Sequence, residues 1–143
     1  MRPSPLTSAV DTYKALAHPV RVRILAMLQG GELCVCQLIA IVRLAPSTIS
    51  AHLVELKRAG LVEERKQGKW VHMRLADGGQ EREVLACVFA ALARDPQVKA
   101  DLAVLKKVRR VELAVLTRAG LDLERVGITG CCPPAARPKE ADS

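Results

Sequence analysis

Aromatic residues are almost missing from this sequence, with one tryptophan, one tyrosine and one phenylalanine in 143 residues. Proteins that hold single-stranded nucleic acid usually stack bases on rings, so the scarcity argues against that activity. Any core must be aliphatic, and hydrophobic residues at 50% are enough to build one. No apolar run approaches the ~20 residues of a membrane-spanning helix, so no membrane is expected as a partner. The opening MRPSPLTSAVD carries no long apolar stretch of the secretory kind. No Ser/His/Asp set, glycine-rich phosphate loop or carboxylate pair stands out, and the chain is not read as an enzyme. Five cysteines, an odd number, fit reduced thiols in a cytoplasmic protein better than a disulfide framework.

Acidic residues are also in deficit. Asp and Glu number 15 against 22 Lys and Arg, a formal charge of +7. That balance points to a polyanionic partner, although composition alone does not separate DNA from RNA or a membrane surface.

What is present is concentrated between residues 33 and 75. A short apolar segment carries Cys34 and Cys36. After a break at 44–46, a second segment runs from Pro46 to about Ala59, polar at its start and then amphipathic, with Ile49, Leu53 and Leu56 on the buried stripe. Pro46 suits a first helical position, and Gly60 ends the helix. Two strand-like runs follow, 61–66 and 69–75, joined around Gln67 and Gly68. Helix, turn, helix, hairpin is the order of a winged helix-turn-helix. The expected fold is therefore mainly α with a small β-hairpin.

Around this unit, residues 1–8 read as a flexible arm. One helix precedes His18-Pro19, and a second holds Val20, Ile24, Leu25 and Leu28 and stops at Gly30-Gly31. The third helix is expected to begin near Leu33–Cys34 and end around 41–43. Past the hairpin, residues 81–93 form a helix, and another starts at Pro96 and extends toward Thr117. These late helices carry more apolar surface than a small winged domain needs, which predicts a dimer interface; a second small domain is the rival. The domain spans 9–118, and 119–143 reads as a flexible tail containing Cys131 and Cys132. Cys87, among Leu85, Val88 and Phe89, reads as a core residue.

Soft thiolates select soft ions, and As(III) or Sb(III) fits that preference. With Cys34 in the first helical turn, the helix dipole favours its thiolate form. Residues two apart point about 200° apart on a regular helix, so both sulfurs would reach one ion only if that turn frayed.

The runs GELCVCQL at 31–38 and STISAHLVELKRAGLVEERKQGKWVHMRL at 47–75 closely resemble the ArsR/SmtB family of metal-sensing repressors, and within it the arsenical-resistance branch. The resemblance covers roughly 12–75 well and the later helices only in outline. It implies a homodimer that represses its operon from inverted-repeat operator DNA. Trivalent arsenic or antimony on Cys34 and Cys36 would release it. The family's third cysteine on this helix is replaced by Ile39, which leaves Cys131 and Cys132 as candidate further ligands. No cysteine occurs in residues 1–33, unlike the cadmium and lead sensors. No histidine follows His72, unlike the zinc sensors.

A recognition helix enters the major groove with its N-terminal part leading. Ser47, Thr48 and Ser50 are then candidate contacts to base edges or phosphates. His52 is suited either to phosphate or to bracing the helix. Arg65, Lys66 and Lys69 form a cationic wing for the minor groove or the backbone. Two rivals remain at the level of sequence. One is a DNA-binding repressor switched by oxidation of the same cysteines. The other, weaker because a C-x-x-C motif beside a βαβ pattern is missing, is a thiol oxidoreductase.

Overall fold

The computed structural model describes residues 4–79 and 81–129. Helix α1 is Pro5–Leu16 and α2 is Pro19–Leu28. A two-residue strand β1, Leu33–Cys34, leads into α3, Val35–Val42, and then α4, Pro46–Arg58. Strands β2, Val62–Gln67, and β3, Trp70–Leu75, form the hairpin. Helices α5, Glu81–Leu92, α6, Pro96–Val108, and α7, Leu113–Arg118, follow, with a 3-10 turn at Glu124–Val126. This is the winged helix-turn-helix expected from the sequence. No single helix among the described residues is long and apolar enough to cross a membrane.

Local chemistry explains most of the boundaries. Proline occupies the start of α1, α2, α4 and α6, where its missing N–H costs nothing. The Ser4 hydroxyl accepts from the Thr7 N–H, and His18 Nδ1 accepts from the Val20 N–H at 3.1 Å. Asp95 caps α6 through the Val98 N–H. Gln67 faces Trp70, so Gly68-Lys69 is a two-residue turn, and Gly68 takes the positive φ such a turn requires.

The sheet order is β1-β3-β2, antiparallel throughout. Leu33 pairs with Met73 and Cys34 with His72, which sews the segment before α3 to the wing. One aliphatic core joins Ile24, Leu25 and Leu28 of α2, Leu38 of α3, Ile49 and Leu56 of α4, and Met73 of the wing.

Four expectations need correction. Helix α1 begins at Pro5, inside the segment 1–8 read as an arm, because Ser4 and Pro5 together make a good helix start. The long last helix breaks after Val108, and α7 starts afresh at Leu113. The break lets Leu105 and Val108 on one side, and Leu116 on the other, enter the same core. Residues 119–128 are folded rather than part of a tail: Leu123 and Ile128 are buried in that core too. The late helices α6 and α7 thus pack on α2 and α3 of their own chain. Cys87, finally, is exposed. On α5 only Leu85 is buried, so the apolar face beside it, with Val84, Cys87 and Val88, lies open next to Tyr13 and Leu16 of α1.

An ion pair fixes the late helices. Arg23 on α2 donates from Nε and Nη2 to the two carboxylate oxygens of Asp101 on α6, at 2.8 and 2.9 Å. Gln97 adds a third bond to the same carboxylate at 3.0 Å. Arg109, just past α6, reaches back to the carbonyls of Gly31 and Glu32, immediately before β1.

Candidate functional site

Cys34 is the residue at which extended chain becomes helix. Its backbone is extended (φ −71°, ψ 145°), and it stands at the N-cap of α3. The Gln37 side chain accepts from the Cys34 N–H at 2.9 Å, which ties the start of the helix to its own third position. This corrects the expected helical geometry of the pair. Because Cys34 lies outside the helix and Cys36 within its first turn, the two sulfurs converge to 3.0 Å without any fraying. Two ligands about 2.3 Å from one ion in a tetrahedral arrangement would be roughly 3.8 Å apart. The pair therefore fits a shared soft ion after a movement of less than ~1 Å.

The pair is also prepared electrostatically. The Cys36 thiol donates to Cys34, and this bond, opposed by burial and helped by the Cys36 and Val71 N–H groups and by His72, draws the Cys34 pKa down to about 6. Cys36 is pushed the other way, first by the bond to Cys34 and then by burial and the adjacent thiolate charge. Of the two thiols Cys34 ionises first, and Cys36 keeps its proton longer. An unfolded cysteine loses its proton near pH ~8.5. The stability contributed by Cys34 is therefore fully present above that value and is lost as pH falls toward 6.

A first prediction follows from the leading cause. Replacing Cys36 by alanine removes the donor, so the Cys34 thiol should titrate at least two pH units or so higher, toward its ordinary value. Thiolate absorbance across a pH titration, with Cys87, Cys131 and Cys132 replaced by serine, reads this. A midpoint that stays near 6 would show that Val71, His72 and the helix start suffice without Cys36.

Glu32, unremarked in the sequence, joins this site to the wing. Its carboxylate pairs with Arg65 of β2 and lies 3.6 Å from His72 Nδ1 of β3. The hydrogen bond from Arg65 is the main reason its pKa is lowered. The signal for Gln37 was legible as the capping-box spacing three residues after Cys34. The signal for Glu32 was not, since its partners lie 33 and 40 residues away.

The predicted DNA-facing residues divide into two groups. Ser47, Thr48 and Ser50 are exposed at the start of α4, and Lys66 and Lys69 are exposed at the hairpin tip. Lys69 Nζ sits 4.9 Å above the Trp70 ring. His52 is half-buried and its ring lies against that of His18, with centroids 4.3 Å apart and planes tilted by 45°, which places α4 against the start of α2 at this point. Burial first, then His18 and Arg21, lowers its pKa and so favours the neutral ring. Arg65 is engaged by Glu32 and Gln67. An ion pair Lys57–Glu64 ties α4 to β2, and Arg74–Glu63 joins the two strands of the wing. Cys131 and Cys132 lie outside the described residues. Among the described residues no three His, Cys, Asp or Glu side chains are placed to share one ion.

Comparison with known proteins agrees with this architecture. Residues 18–64 match the family model described as "Bacterial regulatory protein, arsR family". The arsenical resistance operon repressor of Escherichia coli K12 is 44% identical over 68 residues, covering 47% of this chain and 58% of that protein. An uncharacterised helix-turn-helix transcriptional regulator of Methanocaldococcus jannaschii is 40% identical over 70 residues, covering 48% of this chain and 79% of that one. A homodimeric winged helix-turn-helix DNA-binding domain from Mycobacterium bovis superposes with a TM-score of 0.52 at 34% identity, over 62% of this chain and 77% of that structure. The chain spans little more than half the length of the Escherichia coli repressor it matches.

Proposed function

This chain belongs to the ArsR family of bacterial regulatory proteins, and from that premise we propose that it is a repressor released from DNA by arsenite or antimonite. The observation that carries the reading is the Cys34–Cys36 pair, two sulfurs 3.0 Å apart, with the bond from Cys36 drawing the Cys34 pKa below its ordinary value. Soft trivalent arsenic or antimony is the ligand class such a pair selects. Cys34 and Cys36 would hold it, and Cys131 or Cys132 is proposed as the source of a further sulfur.

The path to DNA runs through the wing. Cys34 stands in antiparallel register with His72, and Glu32, two residues before it, grips Arg65. A ligand that spreads the two sulfurs from 3.0 Å to the separation its coordination needs would shift β1 against β3. Release then needs only that the DNA-binding and free states differ in ligand affinity.

The operator is proposed to be an inverted repeat read by a homodimer, with two recognition helices about 34 Å apart in successive major grooves. The face that supports self-association is α1 with α5, where Leu6, Val10 and Tyr13 are exposed at 76, 43 and 62%. The test is operator binding by fluorescence anisotropy during arsenite, antimonite and peroxide titrations of reduced protein. Release by arsenite or antimonite alone is expected. Release by peroxide alone would favour the second reading, an oxidation switch, which the Cys34 thiolate also supports. An arsenic-edge absorption spectrum of the loaded protein counts the sulfurs.

The wing supplies a separate prediction. Lys66→Ala and Lys69→Ala should each weaken binding on all duplexes alike and flatten the salt dependence by about one unit, as expected for a lost phosphate contact. Loss at the specific site only, with an unchanged slope, would mean that these lysines do not meet phosphates.

A further inference from the structure

Helix α4 carries one large apolar side chain that is half exposed and lies off the buried stripe. Ile49, Leu53 and Leu56 are 0, 5 and 0% exposed, whereas Val54 is 48% exposed. Valine is no help to an exposed helical position, since its branched side chain lowers helix propensity slightly. Val54 shares its face with Ser47, Ser50 and Ala51, all exposed. The spacing is i, i+3, i+4, i+7, the pattern by which the third helix of a homeodomain reaches bases. Seven residues of helix rise about 10 Å, the length of roughly three stacked base pairs. Charge favours the same occupant: Lys66 and Lys69 are exposed on the neighbouring wing, while Lys57 and Arg58 at the end of the helix are paired with Glu64 and Glu55.

We infer that Val54, with Ala51 beside it, reads thymine methyl groups in the major groove, and so sets operator specificity together with the two serines. The thymine C5-methyl is the apolar mark on the major-groove edge of a base pair, and small apolar side chains recognise it. Serine is tolerant, because a hydroxyl both donates and accepts. An apolar side chain therefore adds discrimination that the serines do not provide. The inference rests on the proposed DNA binding and deepens it.

The test uses the full chain and a duplex enriched by that chain from a randomised pool. Thymines are replaced one at a time by deoxyuridine, which removes only the methyl group. At one or more thymines in each half-site the wild-type affinity should fall about fourfold, the value of one buried methyl. Val54→Ala should lose at least as much on the thymine duplex and then be indifferent to deoxyuridine at that position. Val54 is exposed, so the variant folds, and an unchanged thermal melt checks it. The inference is overturned if no deoxyuridine weakens binding, or if the deoxyuridine penalty is the same in wild type and Val54→Ala. Wild-type affinity in Val54→Ala would overturn it in favour of a protein-docking role for the patch. A pool from which nothing is enriched would instead overturn the DNA-binding reading, and this inference with it.

Discussion

Cys34→Ser and Cys36→Ser proteins are expected to bind the operator about as tightly as wild type and to lose release by arsenite. Linked sites typically change each other's affinity by about 5- to 150-fold, and that factor should fall to one in either variant. Serine keeps the packing at both positions. At Cys34 the Cys36 and Val71 N–H groups that serve the sulfur remain to serve a hydroxyl. What is lost is the soft donor, and with it the ligand's hold on β1 and the wing. Replacing Cys131 and Cys132 together should only weaken the response, because the contact with the wing is made at Cys34. Anisotropy across an arsenite titration separates these outcomes. Full release of a Cys34→Ser/Cys36→Ser double variant would move the sensor to Cys131 and Cys132.

Asp101→Ala should destabilise the fold by about 3–5 kcal/mol, the range for removing one partner of a buried ion pair. The carboxylate side chain is 5% exposed and the Arg23 side chain 14%, so water does little to replace the lost partner. Three hydrogen bonds end on that carboxylate, and none survives the change. Urea denaturation with both wild type and variant reads the loss. An apolar pair, Arg23→Met with Asp101→Leu, should recover most of it, since the charge left behind is the main cost. A loss below ~1 kcal/mol would show that Arg23 finds solvent once Asp101 is gone. The consequence reaches the cysteine site, because α6 leads directly to Arg109 and its contacts with the carbonyls of Gly31 and Glu32.

The sequence by itself determined the elements whose signals are local. Proline marked the starts of α2, α4 and α6, Gly68 marked the hairpin turn, and the stripe of Ile49, Leu53 and Leu56 marked the buried side of α4. The cysteine pair and the wing lysines were legible for the same reason, as residue types at fixed spacing. Tertiary structure decided the rest. Cys34 became extended because β3, nearly forty residues later, offers it a partner in His72. The helix start therefore moved one residue on, and the sulfurs met without unwinding. Val108 ended its helix because two short apolar faces fill the core over α3 where one long helix could not turn to do so. The same absence of a local signal left Cys87 looking like core, since a periodic apolar face says that something covers it and not what. Hydrogen bonds and packing partners distant in sequence set these outcomes, and no window along the chain contains them.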